Sequence, residues 1–468
     1  MKKFKKFLSA IIFCLFITSN AVFADSLYVR GQVLHFLSDP HQSPNSYEYF
    51  ADGLLVVQDG KISSVGDYKK LQPSLPQDAK LTYYPNGLII PGFIDTHIHY
   101  AQLDMIAANS GGHLLQWLNG YTFPFEKKFK DQHYANDVAN FFLDELIHNG
   151  TTTALIFTSI YPQAVDSLFA AAEHRQMRII TGEVMGDRNL PEHLLQSPDQ
   201  VGRETEQLIN KWHNKPGSRL LYAITFRFAP TTSPELFQKI QTIKAKYPNV
   251  YVHTHIAENQ QETAWSKQLF ATDNYLNIYD RYQLLGNKTL LAHGVYLSDK
   301  EEMRMQKSGT SVAFCPTSNL FLGSGLFNLE RAEKNDIIVG LGTDVGAGTS
   351  FSMLQTLGDA YKVLQLQNQN FSPFEGFYLA TLGGARALDL ADKLGNFQAG
   401  KEADFVVLNL DGATPLLKRR LQYAKTLADK LFVLMTLGDD RSIMATYLNG
   451  RLVYSQVNQT EQTNSGNL

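Results

Sequence analysis

Histidines and acids spread between positions 97 and 344 are of the types that could act together on one divalent ion. His97 and His99 form a His-x-His pair. On a strand, residues i and i+2 leave from the same face, so the two imidazoles can grip one ion from a common side. His255, His293 and Asp344 each stand where a short apolar run ends. With the pair they make an all-N/O donor set that suits zinc, with iron and manganese also compatible. An ion held this way lowers the pKa of a bound water toward about 7, which makes a nucleophile available at neutral pH. Attack on an electrophilic carbon that carries an amino leaving group then needs a carboxylate to move protons. Glu258, three places after His255, is the candidate shuttle, and Asp344 could both touch the ion and accept the proton of the water.

Some of these residues admit a second reading. A lone His-x-His is more often two unrelated polar residues at a strand end. His253-Thr254-His255 is another such pair; His255 is taken as the ligand because Glu258 follows it, and His253 is given a packing or supporting role. Glu258 could equally be a helix N-terminal carboxylate favoured by the helix dipole, a role compatible with proton transfer.

The elements that must position these groups read as strands alternating with helices. Eight apolar runs are placed near 88–98, 152–157, 178–184, 220–228, 250–256, 289–293, 311–315 and 338–343. Val138, Phe142 and Leu146 recur at steps of four before Gly150, a helix and its stop. Ser233-Pro234-Glu235 is a helix start, Ser as cap and Pro in the first turn. Eight such strands predict an α/β fold, a (β/α)8 barrel, over 89–389. In barrels of this kind the functional groups gather at the C-terminal strand ends, where His97, His99, His255, His293 and Asp344 fall. The doubly wound open sheet is disfavoured, since no Gly-rich dinucleotide turn follows the first strand.

The flanks have a different texture. Leu27–Leu34, Gly53–Gln58 and Lys61–Val65 near one end, and Ala403–Leu408 and Ser442–Val453 near the other, read as strands, with Asp59-Gly60 and Asn449-Gly450 as hairpin turns. They predict a small composite β-sandwich domain built from 25–88 and 390–455, followed by a mobile tail over 456–468.

Residues 1–24 have the layout of a signal peptide: Lys2, Lys3, Lys5 and Lys6, an apolar stretch from Phe7 to Ile17, then Ala24 before Asp25. Export to the periplasm or beyond is expected, with an uncleaved segment as the only membrane contact. Bulky Phe13 before Cys14 argues against a lipoprotein. Removal of this segment leaves Cys315 as the sole cysteine, so no intrachain disulfide can form and no Cys cluster is present to hold a metal. The net charge of -3 offers no basic field for nucleic acid.

Several stretches carry a resemblance. Pro91–His99 (PGFIDTHIH) and Gly400–Leu408 (GKEADFVVL) are similar to the entry and closing motifs of the amidohydrolase superfamily. Within it, the chain resembles the guanine deaminase family over nearly all of the mature length. Leu114–Pro124 (LLQWLNGYTFP), Phe226–Pro230 (FRFAP), His255–Asn259 (HIAEN), Phe314–Asn319 (FCPTSN) and Gly342–Val345 (GTDV) carry that likeness. The resemblance implies a mononuclear zinc site at His97, His99, His255, His293 and Asp344, with proton transfer by Glu258 and Asp344. It implies guanine as substrate, a homodimer, and purine contacts from Gln102, Trp117, Arg227 and Phe228. Gln102 offers a donor and an acceptor, Arg227 a rigid donor fork, and Trp117 an aromatic wall, although Trp117 could be ordinary core packing. The chain departs from the family in its export signal. A related amidohydrolase acting on another purine, a pterin, a triazine or a cytosine-like ring is the rival reading, and a non-catalytic scaffold of the same fold a remoter one.

Overall fold

The computed structural model describes residues 26–43, 45–108 and 114–456. The expected signal segment 1–24 and, apart from Gln456, the expected tail 456–468 lie outside the described residues. Four strands open the chain: β1 (Ser26–Phe36), β2 (Tyr47–Gln58), β3 (Lys61–Asp67) and β4 (Leu81–Pro91). The central strands are β5 (Phe93–His99), β6 (Thr151–Phe157), β7 (Arg178–Gly182), β8 (Val184–Met185), β9 (Leu220–Phe226), β10 (Tyr251–Ile256), β11 (Thr289–His293), β12 (Ser311–Phe314) and β13 (Val339–Leu341). β14 (Phe405–Asn409), β15 (Ile443–Leu448) and β16 (Arg451–Ser455) close it.

The central strands pair in parallel in the order β13-β12-β11-β10-β9-β7-β6-β5, with the short β8 also against β9. The two edge strands meet through the residues beyond β13: the Asp344 amide donates to His97 O at 2.8 Å and the His99 amide to Val345 O at 2.7 Å. Asp95 reinforces the seam by accepting from the Thr343 hydroxyl and amide at 2.5 and 3.1 Å. The result is a nearly closed eight-stranded parallel barrel. Strand alternation sorts its side chains. In β10, Val252 and Ile256 face the helix layer, whereas Tyr251 points into the barrel below His253 and His255. The interior beneath the site is filled by Ile94, Leu155, Ile180, Leu221, Leu290 and Leu388, so the barrel is a packed core.

The two chain ends combine into one seven-stranded sheet, order β16-β15-β14-β4-β1-β2-β3, antiparallel except where β1 meets β4. Its hairpin turns at Asp59-Gly60 and Asn449-Gly450 hold all four residues at positive φ, the conformation such two-residue turns require. The stretch read as a single strand at 88–98 is two. Chain up to Pro91 stays in the small sheet and chain from Phe93 enters the barrel. The switch falls at Gly92, where a Cβ would lie 2.1 Å from Thr152 Oγ1, so only glycine permits the crossing so close to β6. Within 390–455 the structure also has helices Pro415–Gln422 and Leu427–Leu437. The second packs on the barrel: Met435 lies against Gly358 and Gly376 of helices Met353–Gln365 and Pro373–Tyr378.

Candidate active site

His97 and His99 leave the end of β5 toward the barrel axis. The β5–β6 register shifts between Asp95 and Ile98, which lets Ile94 point into the barrel, Ile98 outward, and both histidines inward again. His255 ends the inward row of β10. His293 and Asp344 adopt left-handed backbone, φ 75° and 51°, just as their strands finish. Alternation along β11 sends Leu291 outward and would send His293 the same way, so the left-handed turn is what re-aims its ring. Strain of this kind, worth about 1–3 kcal/mol per residue, persists where surrounding structure imposes it and is common at functional sites.

The side chains of His97, His99, His255 and Asp344 converge, with one donor atom of each within 4.8 Å of all the others. Asp344 Oδ1 lies 3.2 Å from His97 Nε2 and 3.1 Å from His99 Nε2. His99 Nε2 is 3.1 Å from His97 Nε2 and 3.3 Å from His255 Nε2. Ligands bound to one ion at about 2.0–2.2 Å stand roughly 3–3.5 Å apart, so these spacings are those of a coordination sphere. His255 Nδ1 donates to the Arg227 carbonyl at 2.6 Å, which leaves the lone pair on Nε2 aimed into the cluster. The residues present therefore fit a divalent metal. His293 is set slightly back, Nε2 3.8 Å from Asp344 Oδ2 and 3.6 Å from Glu258 Oε2, and groups with Asp344 and Cys315.

Burial keeps the imidazoles neutral, the form that binds metal: His99 is lowered to about 4, His293 to about 3, and His255 well below its ordinary value. Burial alone would raise Asp344, but His97 and His99 beside it hold its carboxyl well below the usual range. Glu258 moves the other way, pushed well above the carboxylate range by burial and by the charge of Asp344. Two acids side by side whose proton affinities are pushed apart in this way are a pair able to pass a proton in opposite directions. Burial also pushes the Cys315 thiol up, so it keeps its proton beside the cluster.

Glu258 does not cap its helix. Asn259 accepts from the Glu262 amide at 2.8 Å, and Glu262 Oε2 accepts from the Glu258 amide at 3.1 Å. The Glu258 carboxyl instead takes a 2.9 Å hydrogen bond from Ser324 Oγ at Oε1 and turns Oε2 toward His293. His253 is buried behind the site, its Nε2 2.7 Å from His97 Nδ1. The Asn319 amide nitrogen lies 3.1 Å from His293 Nδ1, and Phe157 packs its ring against His97, His99 and His255.

A pocket opens directly over these groups, lined by His99, His255, His293, Glu258 and Asp344 on its floor and by Gln102, Trp117, Arg227 and Phe228 among its walls. Gln102 reaches His99 Nδ1 at 3.2 Å and accepts from the Gly346 amide at 3.3 Å. Trp117 and Phe228 belong to one apolar cluster with Leu114, Leu118 and Leu322, so Trp117 is packed and lines the pocket at once. Its Nε1 is buried and has no hydrogen-bond partner among the described residues. The loop that carries Arg227 and Phe228 is clamped from the loop that follows β8: Arg188 Nη2 donates to Ala229 O at 3.2 Å and Asn189 Nδ2 to Pro230 O at 2.7 Å. Sequence reading missed Asp95, Glu126, Asn319 and Ser324. Asp95 and Asn319 lie inside stretches that carry the family resemblance, but the partners of all four, Thr343, Arg227, His293 and Glu258, stand 26 to 248 positions away, and no local spacing marks the contact. For His253 the signal was present in the second His-x-His pair.

A parallel barrel with histidines and a carboxylate converging at the C-terminal ends of its strands defines a class, barrel hydrolases with a donor set able to hold a metal. Within that class the chain belongs to the amidohydrolase family, which matches residues 88–453. It is 50% identical over 432 residues to guanine deaminase of Escherichia coli (strain K12), covering 92% of this chain and 98% of that protein. The solved structure of the Escherichia coli guanine deaminase superposes with a TM-score of 0.89 at 48% identity, covering 92% of this chain and 100% of the other. Guanine deaminase from C. acetobutylicum, solved with guanine bound in the active site, superposes with a TM-score of 0.82 at 29% identity over 92% of this chain and 100% of that one.

Proposed function

We propose that the protein is a guanine deaminase that hydrolyses guanine to xanthine and ammonia. The observation that carries this reading is the pocket itself. Trp117 and Phe228 offer apolar walls suited to a flat ring, Gln102 and Arg227 offer edge hydrogen bonds, and the His/Asp cluster with Glu258 forms the floor. The guanine deaminase relatives support the choice of base.

His97, His99, His255, His293 and Asp344 would hold the ion, which we propose to be zinc. When bound, it supplies an activated water at neutral pH. Asp344, ionised, accepts a proton from the attacking water. Glu258, protonated, gives its proton to the ring nitrogen beside C2 as the C–O bond forms. Asp344 passes its proton on to the amino group, the C2–N bond breaks, and the proton of the C2 hydroxyl returns to Glu258. Ammonia leaves and the C2 carbonyl of xanthine remains. Gln102 and Arg227 orient the base, and the packed walls keep bulk water from the reacting carbon.

The proposal extends to a homodimer and to export, the latter supported by the Lys2–Lys6 and Phe7–Ile17 pattern. Light scattering of the purified protein and N-terminal sequencing of the mature chain from cell fractions test these two. The activity is tested by metal analysis beside ammonia release from guanine and from a panel of purines, pterins, triazines and cytosine. Turnover of another ring with guanine ignored would overturn the assignment.

A further inference from the structure

The barrel holds the backbone of Arg227, but the guanidinium finds its partner on a different element. Its Nη2 donates to Glu126 Oε1. Both side chains are buried, Arg227 5% and Glu126 1% exposed. The guanidinium also lies 5.6 Å from the centre of the Phe123 ring. Phe123 and Glu126 share one helical turn, Phe123–Glu126, in the stretch that begins with Leu114 and includes Trp117. That stretch supplies Leu114, Trp117 and Leu118 to the pocket. The stretch that supplies this wall thus also carries the acid that is ion-paired to Arg227, out of contact with bulk water.

We propose that Glu126 is a positioning residue for base recognition: by engaging one nitrogen of Arg227 it decides which of the arginine's donors face the substrate, and it ties the seating of the Trp117 wall to that same arginine. This inference rests on reading the pocket as a guanine site. An arginine carries five N–H donors in a rigid fork and accepts nothing. With Nη2 engaged by Glu126, the remaining edge serves the pocket that Arg227 lines. A pure donor meets an acceptor edge of the base, and the guanine edge remote from C2 carries O6 and N7. Loss of the Glu126 charge would free the fork to turn, so that it no longer selects for the carbonyl. Burial pushes the Glu126 carboxyl up while Arg227 opposes that rise.

The test compares wild type, Glu126→Gln and Arg227→Gln, alone and combined, all checked for metal content and melting temperature. Steady-state kinetics with guanine are set beside binding of 2-aminopurine, which is guanine without O6. Glu126→Gln is expected to raise KM for guanine at least tenfold with kcat within about threefold and metal content unchanged. It should weaken 2-aminopurine far less, and the double variant should be little worse than Arg227→Gln. Should Glu126→Gln not fold, Glu126→Asp keeps the charge at shorter reach and is expected to show the same selective rise in KM, at reduced size. Equal weakening of the two ligands, or a lower melting temperature with KM unmoved, overturns the inference and leaves the guanine assignment standing. A correctly loaded wild type that ignores guanine overturns both.

Discussion

The Nε2 of His253 lies 2.7 Å from Nδ1 of His97, whose opposite ring nitrogen is one of the converging donors. The two rings meet nearly edge to face, 84° apart. A histidine that binds metal through Nε2 is oriented, and made more basic, by what its Nδ1 touches. His253→Leu should therefore weaken metal retention about 10–100-fold. His253→Gln, whose side-chain oxygen can take the same hydrogen bond, should recover part of it. Chelator competition on the purified variants measures both. Retention by His253→Leu equal to wild type would return His253 to plain packing.

Glu258 has one oxygen anchored by Ser324 and the other 3.6 Å from His293, and it is not needed for helix capping. Glu258→Gln keeps the shape and the Ser324 contact but has no acidic proton to give. It should bind metal as wild type does and lose about 10²–10⁴ in kcat, the span of general acid–base catalysis. Near-normal turnover of guanine by a fully loaded variant would remove Glu258 from proton transfer.

Much of the donor set is legible in the sequence because it obeys local rules. His97 and His99, and likewise His253 and His255, share a face through strand alternation, and the others mark ends of apolar runs. The pairings that finish the site do not follow from local rules. Glu126 meets Arg227 and Ser324 meets Glu258 only after the barrel closes, and nothing in the spacing foretells either contact. The left-handed turn at His293 runs against alternation, so periodicity alone would place that ring among the helices. The strand boundary at Gly92 is hidden for a related reason. Apolar residues continue through it while the chain changes sheets, and only the proximity of Thr152 reveals the switch.

At the far end of the barrel, Glu402 of the closing motif accepts from Arg178 at 2.9 and 2.5 Å and pairs with Arg219 at 3.1 Å. Asp404 takes the other side of Arg219 and the Asn449 amide. This network joins the small sheet to β7 and β9, and its side chains are at most 9% exposed. Removal of one partner from a buried ion pair strands the other, at a cost of about 3–5 kcal/mol. Glu402→Ala should lower the urea midpoint accordingly while sparing kcat of the folded fraction. Asp199→Ala, which breaks the exposed Lys239–Asp199 pair, should not move it measurably. A Glu402→Ala midpoint equal to wild type would show the network to be dispensable.

His213 gives the stability a defined response to acid. Its Nδ1 accepts the Tyr222 amide at 3.0 Å, a bond that a protonated ring cannot keep. Burial, with Lys288, Lys244 and Lys215 nearby, lowers its pKa from 6.5 to about 4. As pH falls below 6.5 the unfolded chain takes up a proton that the folded chain refuses, so stability drops until the folded group titrates near 4. His213→Asn presents an oxygen where Nδ1 stands and does not titrate. Its loss of stability between pH 7 and pH 5 should be smaller than that of wild type by on the order of 1 kcal/mol, a figure reduced for the partial exposure of the ring. Other buried histidines, among them His99 and His293, titrate alike in both proteins and cancel in the comparison. Urea denaturation at the two pH values measures the difference, and identical pH slopes for the two proteins would mean that His213 is protonated as readily in the folded state as in the unfolded one.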